Sequence, residues 1–279
     1  MKVLRTNIEL ESWLSEIKSK NASIGFVPTM GALHKGHLSL VKKSSEDNDY
    51  TIASVFVNPK QFNNRQDFEK YPVTVDEDIR VLESVMCDAV FVPDYNEVYP
   101  EKMKQVSLDL GHLNKVFEGP GRPGHFEGVI QAVHRFFDLV KPTTAYFGLK
   151  DFQQCMVIKA LRNEYFPKIK LQFCPTEREK NGLAMSSRNT RLSEQGRKTA
   201  GKIYEVLTVI KNLHEHIDAP DAINYGLQLL RNAQVEVEYL SMANADTFTP
   251  AIKWQRTNKN VLLVAAHVEG VRLIDNITF

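Results

Sequence analysis

Cysteines and long hydrophobic runs are scarce in this 279-residue sequence. Its three cysteines, Cys87, Cys155 and Cys174, form no CxxC pair, so we expect buried thiols in a reducing compartment. The longest apolar run, 261–266, is much shorter than the ~20 residues that span a bilayer. The first ten residues lack the apolar stretch of a signal peptide. Together these features predict a cytoplasmic protein without a membrane segment.

An excess of charge of one sign is also missing. The chain has 35 basic and 34 acidic residues and a net charge of +1. Binding to nucleic acid or to an anionic membrane usually involves a basic surplus, so we expect neither as a partner. The hydrophobic content of 43% and the charged content of 25% are typical of a soluble enzyme. The length suits one large domain or two unequal ones.

Strand-like and helix-like segments alternate over the first two thirds of the chain. The segments with buried-strand patterns are 23–27, 51–57, 89–92, 145–147 and 170–173. The helical patterns between them cover 37–46, 75–86, 126–140 and 152–165. Such alternation with short connections predicts βαβ units and an α/β fold, with a Rossmann-like, doubly wound parallel sheet.

The pattern changes after Cys174-Pro175. Two helical stretches, at 193–216 and 221–232, are followed by three β-rich segments at 235–241, 261–268 and 271–277. Glu269-Gly270 is a tight-turn candidate between the last two segments. We therefore predict a Rossmann-like domain at 1–175 and a smaller C-terminal α+β domain with an antiparallel sheet at 176–279.

A glycine-containing segment, PTMGALHKGH at 28–37, connects a predicted strand to the helix that follows. Ligands bind at this edge of open α/β sheets, and a helix N-terminus there offers N–H groups to phosphate. His34 and His37 lie three residues apart, on one face of a helical turn, where two imidazoles can stabilise charge on phosphoryl oxygens. A metal site is the alternative, but no third ligand is nearby, so we expect none.

Small hydroxyls and an arginine occur together in GLAMSSRN at 182–189, near the predicted domain boundary. Such a loop can bind phosphate, although, taken alone, it fits a polar linker before a helix N-cap at Ser193 better. Paired with HxGH, it resembles the HIGH and KMSKS signatures of adenylate-forming and nucleotidyl-transferring enzymes. That resemblance implies that the two segments bind one ATP from opposite sides.

Three further segments stand at strand ends or helix starts: FVNPKQF at 56–62, GRPGHFEGV at 121–129 and YFGLKDFQQ at 146–154. Gln61 and Gln154 offer neutral amides suited to a hydroxy acid, and Lys150 offers a cation suited to phosphate. Together with the two earlier motifs, these segments resemble the pantothenate synthetase, or pantoate–β-alanine ligase, family over almost the whole chain.

The resemblance implies condensation of pantoate with β-alanine through a pantoyl adenylate, with ATP bound as its Mg²⁺ complex and with pyrophosphate and AMP released. It also implies a homodimer. Because water would hydrolyse the adenylate, we expect the smaller domain to close over the site and to act as a lid. Carried over by position, His34, His37, Lys150 and Arg188 are implied in catalysis, and Gln61 and Gln154 in binding pantoate, with Gln61 serving β-alanine as well. The residues implied to bind ATP are Met30, Gly31, Ala32, Leu33, His34, Lys35, Gly36, His37, Gly148, Leu149, Lys150, Asp151, Glu177, Met185, Ser186, Ser187 and Arg188.

Two other functions remain open. A nucleotidyltransferase of the HxGH superfamily would share the ATP motifs, but it would transfer AMP to a phosphate-bearing acceptor and would not need two amides for a hydroxy acid. A non-catalytic nucleotide sensor or RNA-binding relic of a synthetase is disfavoured by the near-zero net charge. For Mg²⁺, Glu77 and Asp78 are candidate ligands, but a solvated helix face fits them better.

Overall fold

The computed structural model describes residues 1–255 and 259–279, which divide into two compact units. Unit 1 comprises Met1–Asn114, Gly119–Leu149 and Gln154–Pro175. Unit 2 comprises Lys115–Glu118, Lys150–Gln153 and the described part of Thr176–Phe279. The main division falls between Pro175 and Thr176, and two short segments from earlier in the chain belong to unit 2. The lid role of the C-terminal region stays a prediction.

Unit 1 contains a six-stranded parallel sheet with the strand order β1-β4-β3-β2-β5-β6. Its strands are β1 (Lys2–Leu4), β2 (Ile24–Thr29), β3 (Tyr50–Val55), β4 (Ala89–Phe91), β5 (Thr144–Gly148) and β6 (Lys170–Cys174). From β2 the chain passes outward to β3 and β4, and it later adds β5 on the opposite side of β2. The carboxyl ends of β2 and β5 therefore flank the topological switch point, where open α/β sheets bind their ligands.

Helices surround the strands in the first 175 residues. They are α1 (Asn7–Lys18), α2 (Lys35–Asp47), α3 (Arg65–Glu69), α4 (Val75–Glu83), α5 (Tyr95–Val98), α6 (Glu118–Gly121), α7 (His125–Val140) and α8 (Phe152–Tyr165). Central strand residues such as Phe26, Val27, Ile52 and Ala53 are fully buried. Adjacent strand residues point to opposite faces, so their burial shows that both faces of the sheet are covered, as expected of a parallel sheet.

The described residues of unit 2 form two long helices and a three-stranded antiparallel sheet in the order β7-β8-β9. Its elements are α9 (Glu194–Leu213), α10 (Ala219–Asn232), β7 (Glu236–Asn244), β8 (Asn260–Val268) and β9 (Val271–Thr278). The unit has its own apolar core, in which Ile210 of α9 and Leu230 of α10 cluster with Val264 of β8. Glu269 and Gly270, both with positive φ, turn the chain between β8 and β9.

The predicted fold class is confirmed, and the strand and helix patterns match the structure to within a few residues. The predicted helix at 152–165 has the observed bounds of α8. The missed elements include β1, α1 and the short helices α3, α5 and α6. β1 has three residues, of which only Leu4 is buried, so it is too short to show a period. The helix predicted at 193–216 ends at Leu213, and a turn begins at His214.

The structure also describes the three cysteines and the length and apolarity of the helices. Cys87, Cys155 and Cys174 are buried thiols, as predicted. Burial raises the pKa of Cys87 to about 12, so this thiol stays protonated at neutral pH. No helix in the described part of the chain is both long enough and apolar enough to cross a membrane.

Candidate active site

The loop between β2 and α2 turns sharply at the carboxyl end of the sheet in unit 1. Gly31 and Ala32 have φ angles of 77° and 50°. The backbone N–H groups of Ala32 and Leu33 donate to the Asp78 carboxylate at 3.0 and 2.7 Å. A Cβ on Gly31 would lie 2.8 Å from an Asp78 carboxylate oxygen, so glycine permits this close approach.

Asp78 corrects one prediction from the sequence. It is 2% exposed, so the prediction that it lies on a solvated helix face is wrong. Its oxygens accept the loop N–H groups, and Oδ2 also accepts the Thr74 hydroxyl at 3.3 Å. Glu77, in contrast, forms an exposed ion pair with Arg80. Helical spacing could have identified Asp78, because it precedes the buried Leu82 by four residues and so shares its face.

His34 and His37 lie side by side at the start of α2, with ring centroids 4.1 Å apart. His34 is the N-cap residue, and its Nδ1 accepts the Gly36 N–H at 3.2 Å. The Nδ1 of His37 accepts the His34 N–H at 3.3 Å. A neutral imidazole whose Nδ1 accepts a hydrogen bond carries its proton on Nε2. Both rings therefore have an Nε2–H donor near the positive end of a helix, a combination that suits an anionic phosphoryl group.

Gln61 connects the ends of two neighbouring strands in unit 1. It lies in a 3-10 helix, Pro59–Gln61, that follows β3. Its Nε2 donates to Met30 Sδ at the end of β2, at 2.9 Å, and its Oε1 accepts from Asn58 Nδ2 at 3.0 Å. Residues from two separate sequence motifs thus meet at one edge of the sheet.

Asn58 is a buried residue that the sequence reasoning did not single out. Its amide group donates to the Gln61 side chain and to the Gly128 carbonyl, both at 3.0 Å. Its Oδ1 accepts the Lys60 N–H and the Tyr99 hydroxyl. Asn58 therefore helps to position the Gln61 amide. An available sequence signal was the Asn-Pro pair, since Asn caps a helix whose first residue is proline.

The start of α7 packs against the same 3-10 helix. His125 Nδ1 donates to the Gln61 carbonyl at 2.8 Å. A Cβ added to Gly128 would overlap the Lys60 carbonyl oxygen and lie 2.6 Å from Gln61 Cα. The glycine in the HFEGV part of this motif therefore allows α7 to touch the backbone of Gln61.

Strand β5 leads to the remaining residues that the motifs predict near the switch point. It ends at Gly148, and a 3-10 helix, Leu149–Asp151, connects it to α8. Gln154 lies half-buried in the first turn of α8. Strand β5 pairs with β2. Gln154 follows β5 in the chain and His34 follows β2, so the two residues follow neighbouring strands.

In unit 2, the GLAMSSRN segment forms a defined turn. An isolated antiparallel bridge pairs Arg178 with Ala184. The Met185 N–H donates to the Glu177 carbonyl at 2.9 Å, which brings together two of the positions implied to bind ATP. Ser186 caps the 3-10 helix Ser187–Arg191 by accepting the Arg188 N–H at 3.3 Å.

Lys150 also belongs to unit 2. Its Nζ lies 3.6 Å from Asp151 Oδ2, and its carbonyl accepts Asn276 Nδ2 of β9 at 2.9 Å. Of the residues implied in catalysis, unit 1 therefore contains His34 and His37, and unit 2 contains Lys150 and Arg188.

In the ranges that the structure describes, no group of three or more His, Cys, Asp or Glu side chains could hold a metal ion.

Known proteins resemble this chain over nearly its full length. A family model described as Pantoate-beta-alanine ligase matches residues 2–278. The pantothenate synthetase of Cytophaga hutchinsonii is 45% identical over 272 residues, which are 96% of each chain. That of Porphyromonas gingivalis strain W83 is 40% identical, over 100% of this chain and 99% of its own.

Solved structures agree with this assignment. The pantothenate synthetase from Thermus thermophilus is 36% identical and has a TM-score of 0.92, with 99% of each chain covered. The pantoate-beta-alanine ligase from Francisella tularensis, solved with Beta-gamma ATP and Beta-alanine, is 35% identical. Its TM-score is 0.81, over 100% of this chain and 97% of that chain. The family that the sequence motifs predict is confirmed, and this chain belongs to the pantoate–β-alanine ligase family.

Proposed function

We propose that the protein condenses pantoate with β-alanine, using ATP, to form pantothenate, AMP and pyrophosphate. Family membership over residues 2–278 is the observation that carries this proposal. The Francisella tularensis relative was solved with Beta-gamma ATP and Beta-alanine, which supports binding of ATP and the amine. Pantoate is proposed as the acid substrate because the description of the matching family names it.

Charge determines what the ATP site has to supply. A carboxylate that attacks the α-phosphorus of ATP brings two anions together, so positive charge and N–H donors are required. His34 and His37, with the N-terminus of α2, are proposed to offer donors, and Lys150 and Arg188 are proposed to offer cations. The segments proposed to bind ATP are 30–37, 148–151, position 177 and 185–188.

Mg²⁺ is proposed to arrive as part of the ATP complex. Mg²⁺ commonly keeps several waters and binds substrate phosphates with one or two carboxylates, without a dedicated protein cage.

Two chemical steps follow. A pantoate carboxylate oxygen attacks the α-phosphorus, pyrophosphate leaves, and a pantoyl adenylate remains. The deprotonated amine of β-alanine then attacks the acyl carbon, and the bond to AMP breaks. Gln61 and Gln154 are proposed to bind pantoate, because neutral amides can bind a hydroxyl and a carboxylate without charge repulsion. Gln61 is proposed to bind β-alanine in the second step.

We also propose that the protein is a cytoplasmic homodimer. The dimer is supported by the motif resemblance to the family, and the cytoplasm by the proposed use of ATP and by three buried thiols. Light scattering coupled to size-exclusion chromatography is expected to give twice the mass of 31.8 kDa. A monomeric mass at assay concentrations would contradict the dimer.

A product assay with pantoate, β-alanine and Mg·ATP tests the activity directly. Pantothenate and AMP are expected in equal amounts. Without β-alanine, pantoate is expected to support exchange of labelled pyrophosphate into ATP, since the adenylate forms reversibly. Exchange that requires β-alanine would contradict a separate adenylate step. A stable adenylylated acceptor instead of AMP would indicate a nucleotidyltransferase.

A further inference from the structure

A buried ion pair connects strand β9 to the segment that precedes Met185. Arg178 donates from Nη1 to Asp275 Oδ2 at 2.6 Å and from Nη2 to Oδ1 at 2.9 Å. The Arg178 guanidinium also lies 3.5 Å from the centre of the Tyr204 ring. Burial raises the pKa of the Asp275 carboxyl, and the hydrogen bonds from Arg178 oppose that rise. A forked ion pair stacked on a ring fixes the plane of the guanidinium as well as its position.

The same guanidinium holds the turn that leads to Met185–Arg188. Its Nη1 donates to the Gly182 carbonyl at 3.0 Å. Gly182 has a φ of 87°, and the chain then returns to pair Ala184 with Arg178. The position of Arg178 therefore sets where the proposed ATP-binding residues 185–188 begin.

Asn276, the next residue on β9, contacts Lys150. Its Nδ2 donates to the Lys150 carbonyl at 2.9 Å, and its own carbonyl accepts from Arg178 Nη2 at 3.3 Å. Its backbone N–H donates to Asp275 Oδ1 at 2.8 Å. Two consecutive residues of one strand therefore connect both proposed phosphate-binding parts of unit 2, Lys150 and the segment 185–188.

We propose that Arg178, Asp275 and Asn276 are positioning residues, which hold Lys150 and Met185–Arg188 in one arrangement before ATP binds. This inference rests on the proposed function, and these three residues act through others and do not touch the substrate. Stability alone is a poor reason for the pair, because apolar residues of similar volume often stabilise a buried position equally well. A fixed relative placement of two loop segments, in contrast, requires directional bonds.

Arg178→Lys and Asp275→Asn test the proposal through kcat and KM measured separately for ATP and for pantoate. Lysine keeps the charge but cannot form the forked pair. A fall of ~10²-fold in kcat/KM for ATP is expected, since a displacement of about 1 Å remote from the reacting atoms can cost that much. The KM for pantoate is expected to stay near that of the wild type. Hydrogen exchange is expected to accelerate locally at the amides of 177–189.

Leu230→Ala is the matched control. Leu230 is 1% exposed in the core of unit 2 and is not part of the ion-pair network. This variant is expected to lose stability but to keep its ATP kinetics at temperatures at which it is folded. Asn276→Ala serves as a second test variant if the Arg178 and Asp275 variants do not fold, because it removes one side-chain contact to Lys150 and leaves the ion pair intact.

The outcomes separate the two proposals. Active wild-type enzyme combined with test variants that remain within twofold of its kcat/KM for ATP would overturn the positioning role and leave the ligase function intact. An equal loss in Leu230→Ala would overturn it too, because general destabilisation would then explain the result. A wild type without ligase activity would contradict the proposed function, and the positioning role would then be judged from calorimetric affinity for Mg·ATP and from hydrogen exchange.

Discussion

The two units hold their proposed ATP-binding segments by different means. In unit 1, Asp78 accepts hydrogen bonds from the backbone N–H groups of the loop after β2. In unit 2, Asp275 is linked to the turn before Met185 through the guanidinium of Arg178. The two carboxylates are similarly buried, 2% and 5% exposed.

The two loops differ in which backbone group, N–H or carbonyl, faces the buried side chains. The loop of unit 1 turns its N–H groups toward α4, and a carboxylate can accept from them directly. The turn of unit 2 presents the carbonyl of Gly182, and strand β9 presents that of Asn276. A carboxylate cannot donate to a carbonyl, so a side chain with several N–H donors is needed between them, and Arg178 supplies these donors. The backbone group at each loop thus selects the side chain that holds it.

Asp78→Asn and Asp275→Asn would sharpen this comparison most, because they make the same isosteric change in each unit. In Asp275→Asn, Arg178 loses its charged partner, and we expect a stability loss of ~3–5 kcal/mol. In Asp78→Asn, one amide oxygen must replace two acceptor oxygens for neutral N–H groups, and we expect ~1–3 kcal/mol. Urea unfolding of both variants gives the two values. Equal losses would show that the charge on Arg178 does not distinguish the units.

His37→Ala and Lys150→Ala compare the chemical contributions of the two units. Each removes a donor proposed to act on charge that develops in the transition state, so we expect kcat to fall ~10²–10³-fold with little change in the KM for pantoate. His216→Ala, which changes an exposed histidine in unit 2, is the control and is expected to be active. If His37→Ala had normal turnover and Lys150→Ala did not, the proposed role of His37 in the transition state would be wrong.

Gly128→Ala and Gly226→Ala introduce the same methyl group into a helix of each unit. In Gly128→Ala the methyl meets the backbone at Lys60 and Gln61, which must move, and we expect a ~10²-fold loss in kcat/KM for pantoate. In Gly226→Ala it meets the side-chain ends of Ile210 and Leu240, which can adjust. Steady-state kinetics with pantoate distinguish the two, and an unchanged Gly128→Ala would remove Gln61 from the pantoate site.

Glu269→Gln is expected to have the smallest effect. Hydrogen bonds from the Ser193 hydroxyl and backbone N–H lower the pKa of Glu269 below its ordinary value of 4.5. The ionised form therefore stabilises the fold above that pH, and this contribution disappears as the pH falls through the lowered pKa. The Tm difference between wild type and variant should be present at pH 7 and shrink in acid. A difference that is independent of pH would refute this linkage.

Local patterns in the sequence determined the class of fold and the family. Alternating apolar segments predicted the parallel sheet, because buried strands and amphipathic helices each repeat with a fixed period. Motifs such as PTMGALHKGH and GLAMSSRN predicted the family because they are contiguous, so their order and spacing can be read directly. The roles of His34, His37, Gln61 and Gln154 in ATP and pantoate binding stay predictions.

Only the tertiary structure identified the residues that hold these motifs in place. Asp78 lies 45 residues from Leu33, and Arg178 lies 97 residues from Asp275. Neither pair shares a helix turn or adjacent strands, so no sequence period connects its members. Burial of an acidic residue also contradicts its usual preference for solvent, and it becomes favourable only when folding brings N–H donors within hydrogen-bonding distance. The sequence alone therefore identifies the groups proposed to contact the substrates, whereas packing decides which distant residues position them.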